Sequence, residues 1–152
     1  MSDDGELLRG EREVQTKRTP YADRLADAAP AREPDRRAAA RAAADRLRRF
    51  GGQELAHDMI QMFVEDTPLR IAIAREGVAL GDAGAVAYAA HSMKGSCAQF
   101  GASVMQRLAR EVEARAERQE LADVAPLLEA LDREFAAYRP CLEPEARPQS
   151  ES

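Results

Sequence analysis

His91 and Lys94 stand three positions apart, one helical turn, in a chain of 152 residues whose only other histidine is His57 and whose only other lysine is Lys17. A neutral imidazole is nucleophilic near pH 7, and an N–P bond formed on it stays reactive enough to donate the phosphoryl group again. An ammonium one turn away can reach the phosphoryl oxygens and offset their charge. The other cations are arginines, so a compact, flexible point charge has been set beside the histidine. Two such residues alone describe an ordinary solvated helix face; the residues around them change that reading.

With successive residues 100° apart on a helix, residues 82–100 place Val86, Ala89, Ala90, Met93, Cys97 and Phe100 on one face, the stripe that a bundle core requires. Gly84, Ala87, His91, Lys94, Gly95 and Ala98 fall on another. The imidazole is thus surrounded by small side chains, over which a partner can come close, and Gly84, Ala87 and Ala98 are the expected partner contacts. Gly95 costs about 1 kcal/mol relative to Ala inside a helix; close approach of a phosphoryl group or a partner backbone accounts for a glycine there. If the chain reverses near Gly101-Ala102, residues whose numbers sum to about 204 lie at similar heights on two antiparallel helices. His91 then faces Glu113, and Lys94 faces Arg110. A carboxylate at Glu113 can accept the Nδ1 proton, leave Nε2 as the nucleophile and stabilise the charge that develops on phosphorylation. The plainer reading of Glu113 is an exposed helix glutamate. Arg110 can steer an acidic partner or simply be solvated, and Ser92 and Gln99 are rim residues.

The run His91-Ser92-Met93-Lys94-Gly95-Ser96-Cys97-Ala98-Gln99-Phe100-Gly101-Ala102 resembles the signature of histidine-containing phosphotransfer (HPt) domains: His-x-x-Lys-Gly, small residues, then a Gly-Ala break. Upstream, Gly51-Gly52, Glu54-Leu55 and Met62-Phe63-Val64-Glu65-Asp66-Thr67-Pro68 look like the helix pair that precedes the phosphorylated helix in this family. Downstream, Leu108-Ala109-Arg110-Glu111-Val112-Glu113 looks like the start of the helix packed against it. The likeness covers about residues 37–142. It implies that His91 is phosphorylated by a receiver-domain aspartate and passes the group to a response regulator. It also implies that Glu113 fills a place held by Gln or Glu, and that Mg²⁺ and the acidic pocket belong to the receiver, so that no cofactor is needed here. The expected partners are receiver domains of response regulators and hybrid histidine kinases. The chain is expected to be a free-standing monomeric intermediate rather than an enzyme. The rival is a helical interaction module that binds receivers or kinases without being phosphorylated; the joint presence of His91, Lys94 and Gly95 argues against it.

Such a site needs rigid helices to hold it. Trp is absent, aromatics are 5% of the chain, and Ala, Leu, Arg and Glu dominate, the residues that lose least on entering a helix. The expected class is all-α: an up-and-down antiparallel four-helix bundle with one or two additional N-terminal helices. Residues 1–35, with Pro20, Pro30 and Pro34, read as a mostly disordered lead with a short helical piece at about 21–28. Residues 36–142 read as the bundle and 143–152 as a disordered tail, with fraying beyond Pro140. Breaks are expected at Gly51-Gly52, 65–68, Gly81-Asp82, Gly101 and 120–123, giving about six helical pieces. Asp66 or Thr67 would cap a helix with Pro68 at its first position, Asp82 would cap the next, and Pro126 would fall in the first turn of the last.

Other functions are disfavoured. The formal net charge of −5 does not suit a phosphate-backbone binder, and the arginine-rich stretch 36–49 reads as a solvated helix face. No Gly-rich phosphate loop is present, so ATP is not an expected substrate. No apolar run is long enough for a membrane span and no basic-then-apolar leader opens the chain, and with Cys97 and Cys141 far apart a cytoplasmic, reducing compartment is expected. Glu54-x-x-His57 has the spacing of a carboxylate-bridged metal bundle, but Tyr88 occupies the place three before His91 where a second copy would need Glu, so no metal is expected and His57 reads as a surface or boundary residue.

Overall fold

Gly51 (φ −146°, ψ 16°) and Gly52 (φ 80°, ψ −179°) are the only non-helical residues inside a 48-residue element, α1, that runs Glu33–Leu80. The left-handed φ at Gly52 is open to glycine without a Cβ penalty, and it divides α1 into an N-terminal arm, residues 33–50, and a long bundle helix, residues 53–80. The computed structural model describes residues 30–147. After α1 come α2 (Ala83–Gln99), α3 (Ser103–Glu117), a 3₁₀ turn (Leu121–Asp123) and α4 (Val124–Ala146). No strand occurs among the described residues. The all-α bundle is therefore as expected, with the arm as the additional N-terminal helix. The helical piece expected at 21–28 lies outside the described residues, and helix begins at Glu33, inside the expected lead.

The break expected at 65–68 does not occur. Thr67 caps nothing; its hydroxyl donates to the Phe63 carbonyl at 2.7 Å, and Pro68 lies within α1. An interior proline costs about 3 kcal/mol. Ile60, Phe63, Ile71 and Ala74 are buried to within 3% exposure, and burying a large apolar side chain returns about 1.5–3 kcal/mol. Breaking the helix at 68 would take Ile71 and Ala74 out of register with Ile60 and Phe63, so packing overrides the proline.

The same competition corrects the expected tail. Helix α4 passes through Pro140 and Pro144 to Ala146, because Leu142 (0% exposed) and Ala146 (4%) are buried while both prolines face solvent. Pro126 does sit in the first turn of α4. The arginine-rich stretch is likewise more than a solvated face. Arg36 forms a two-bond pair with Glu134, each bond 2.9 Å, Arg48 reaches the Glu145 carbonyl at 2.8 Å, and Arg46 reaches the Gln99 carbonyl at 3.2 Å. These contacts fasten the arm along α4 and to the end of α2.

The core centres on Phe63, whose ring centroid lies 4.7 Å from that of Phe100 and 5.9 Å from that of Phe135. The Tyr138 hydroxyl donates to the Phe100 carbonyl at the C-terminal cap of α2, and burial raises the Tyr138 pKa. Both ends of the helix that bears His91 are thus held, since at the other end the Asp82 carboxylate accepts from the Ala85 amide at 3.1 Å, the expected cap. No helix among the described residues is long and apolar enough to cross a membrane.

Helices α1 and α2 come into close contact at Gly77. A Cβ there would stand 2.7 Å from Val86 Cγ2, 3.1 Å from the Asp82 carbonyl oxygen and 3.3 Å from the Val86 amide nitrogen. Ala is favoured over Gly in a helix by about 1 kcal/mol, but forcing a methyl group into a packed contact costs about 1–3 kcal/mol, and two of these neighbours are backbone. Gly77→Ala is expected to lower the denaturation midpoint, a net loss of up to about 2 kcal/mol. A rise in stability on chemical denaturation would mean that the two helices separate without cost.

Candidate functional site

The face of α2 assigned to the core is buried throughout: Val86, Ala89, Ala90, Met93, Cys97 and Phe100 are each at most 1% exposed. Burial pushes the Cys97 thiol up to about 12, so it is an inert packing group. That anchoring turns the opposite face outward. His91, Gly84, Gly95 and Ala98 are exposed, and Ala87 and Lys94 half-buried.

The chain reverses at Gly101-Ala102 and brings α3 alongside α2 in the expected register. His91 Nδ1 lies 2.6 Å from Glu113 Oε2, and Lys94 Nζ lies 2.6 Å from Glu113 Oε1. Side-chain exposure is 69% for His91, 30% for Lys94 and 12% for Glu113. Glu113 is therefore not the exposed glutamate of the plainer reading. Lys94, placed opposite Arg110 by the height rule, extends to Glu113 instead, because a buried carboxylate attracts it and an arginine repels it. Arg110 remains exposed.

Burial pushes the Glu113 carboxyl up, but the hydrogen bonds from Lys94 and His91 and their charges outweigh it, so its pKa falls below the ordinary 4.5. It is consequently ionised at neutral pH and accepts only. Nδ1 must then carry a proton, so that in the neutral imidazole the lone pair is on Nε2. A carboxyl with a lowered native pKa contributes stability that is complete above the unfolded value and is lost as pH falls through the native value. Acid denaturation below about pH 4.5 is therefore expected to be less steep in Glu113→Gln than in the wild type; identical acid limbs would mean that the triad contributes nothing to folding.

Gly95 has no internal reason to be glycine, since an added Cβ would meet nothing within 4 Å. The space above it is open to a partner. The two helices that meet at Gly77 also carry exposed apolar side chains that the sequence reading did not single out as such: Tyr88 (73% exposed), Leu80 (73%), Leu69 (62%) and Ile73 (46%). Ile73 and Leu80 lie about one turn to either side of Gly77, where α1 meets α2, and Tyr88 is one turn before His91. The available signal was on the wheel, where Tyr88 points nearly opposite the core stripe.

His57 sits at the far end of the bundle, its Nδ1 2.9 Å from the Ala146 carbonyl oxygen. No group of three or more His, Cys, Asp or Glu residues among the described residues is placed to hold a metal ion.

The family model for the Hpt domain matches residues 58–140, which include His91, Lys94, Gly95 and Glu113. The chain is also similar to histidine-containing phosphotransfer protein B (HptB) from Pseudomonas aeruginosa PAO1. Its crystal structure aligns with a TM-score of 0.64 at 30% sequence identity, over 68% of this chain and 90% of that one. No curated protein matches. The arm and the last turns of α4 lie outside the family-matched range.

Proposed function

Since the chain belongs to the Hpt domain family, phosphocarriers of phosphorelays that interact with receiver domains, we propose that His91 is the residue that carries the phosphoryl group, taking it from a receiver aspartate and passing it to a response regulator. The observation that supports this most directly is the Nδ1 contact with Glu113 at 2.6 Å under an imidazole that is 69% exposed. It fixes the tautomer and leaves Nε2 bare to an incoming protein.

In this reading a receiver docks over Tyr88, the small residues Gly84, Ala87, Gly95 and Ala98, and the apolar edge of α1, while Arg110 steers its acidic rim. Its phospho-aspartate meets Nε2 in line. Attack forms the N–P bond and breaks the P–O bond to the aspartate, whose carboxylate leaves with the bonding pair. Glu113 stabilises the positive charge that develops on the ring, and Lys94 neutralises charge on the phosphoryl oxygens. The reaction is reversible, and positioning is shared between two proteins. The carrier therefore acts as a transfer intermediate in the cytoplasm, without a cofactor, and as a monomer whose His91 face is open to the receiver.

The test is to mix the protein with phosphorylated receiver domains and locate the acid-labile, alkali-stable phosphate by peptide mapping. Label on the peptide bearing His91 is the expected result. No label from any receiver, with helical content intact and a known carrier transferring in parallel, would sink the proposal in favour of a docking module that is never phosphorylated.

A further inference from the structure

Glu113 has both carboxylate oxygens engaged at the same short distance, one by His91 and one by Lys94. With the imidazole in the neutral form that can act as a nucleophile, the charges of the resting site cancel: one carboxylate and one ammonium. Phosphorylation of His91, on which this inference rests, upsets that balance in a defined way. The Nε2 lone pair becomes the N–P bond, the aspartate leaves as a carboxylate, and Nδ1 keeps its proton. The ring gains a formal positive charge at the edge facing Glu113 Oε2, and the phosphoryl group places two negative charges on the outer side. The site as a whole gains one negative charge.

Glu113 is then answered by the ring alone. The largest unanswered charge within reach of Lys94 is the phosphoryl dianion, which attracts it about twice as strongly as a monoanion at equal distance and equal screening. Lys94 is one turn from His91, is 30% exposed, and has a four-carbon stem that lets the ammonium swing without moving the helix. We propose that Lys94 is a two-position switch, held on Glu113 while His91 is bare and transferred to the phosphoryl oxygens when His91 is loaded. Glu113 is the positioning residue that parks it. The exchange gives a receiver a carrier whose resting face shows no unpaired ammonium beside the nucleophile. It also offsets part of the stabilisation that Lys94 gives the loaded state, which keeps the phosphoryl group easy to hand on.

The chain has only two lysines, Lys17 and Lys94, so ¹⁵N labelling of lysine side chains gives two signals, and Lys94→Ala assigns them. The full chain and its Glu113→Gln variant are each compared before and after loading by a phosphorylated receiver, with ³¹P resonance reporting the phosphohistidine independently. The expected result is that Glu113→Gln displaces the Lys94 signal in the bare protein, and that the displacement disappears once His91 is loaded. A Lys94 signal that does not move on loading, or that depends on Glu113 equally in both states, overturns the switch while leaving the phosphoacceptor in place. Absence of any phosphohistidine resonance removes the reading of His91 and the switch with it. Should Glu113→Gln not fold, Lys94→Ala serves instead: the phosphohistidine ³¹P resonance is expected to shift relative to wild type, and an unshifted resonance overturns the switch.

Discussion

His91→Gln is expected to reduce phosphate uptake from any receiver to background while leaving the bundle folded. The two halves of that expectation have separate causes. The imidazole is 69% exposed, and glutamine is a good helix former. Its amide can still donate toward Glu113, so the structural loss is at most one part-exposed hydrogen bond, about 1 kcal/mol. Chemistry is lost outright, because an amide nitrogen has no available lone pair to attack phosphorus. The remaining histidine, His57, has its Nδ1 engaged with the Ala146 carbonyl and lies just outside the family-matched residues, so His57→Gln is expected to take up phosphate like the wild type. Circular dichroism and labelling of both variants in parallel check the pair of outcomes. Uptake surviving in His91→Gln and lost in His57→Gln would move the site to the other end of the molecule.

Why the chemistry was so much easier to read than the bundle follows from where the information lies. The contact between His91 and Glu113 needs only one reversal point, Gly101-Ala102, and a common rise per residue on two helices, both local quantities. The cap at Asp82 is local too. The continuity of α1 through Pro68 is not: it depends on Ile71 and Ala74 finding a core made by other helices, and proline chemistry alone argues for a break. The same holds for α4 beyond Pro140, where Leu142 is buried in a core to which the arm contributes Ala40, Ala43 and Ala44. The ties from Arg36 and Arg48 to Glu134 and Glu145 join residues about a hundred positions apart, a separation at which no periodicity can pair one arginine with one glutamate. Helix α1 also bears apolar residues on two faces: Ile60, Phe63 and Ile71 go into the core, and Leu69, Ile73 and Leu80 stay in solvent. Only the placement of α2 and α4 decides which face is which.

That second apolar face has the other large expected consequence. Tyr88→Asp, combined with Ile73→Asp, is expected to raise the carrier concentration needed for half-maximal transfer from a phosphorylated receiver by about 30-fold or more, the penalty of losing an interface anchor worth about 2 kcal/mol. The rate at saturating carrier should change far less. His91, Lys94 and Glu113 remain in place, and the substitutions alter docking rather than the reacting atoms. Stability should move by no more than about 0.5 kcal/mol, because Tyr88 is 73% and Ile73 46% exposed in the unbound chain. Phe50 provides the control. It is more exposed than either, at 90%, but stands at the Gly51-Gly52 kink in the arm, outside the family-matched residues, so Phe50→Asp should leave the concentration dependence unchanged. An equal effect of both variants would show that exposed apolar area acts nonspecifically. An effect of Tyr88→Asp and Ile73→Asp on the saturating rate alone would place these side chains in the alignment of the phosphoryl group instead of in the capture of the receiver.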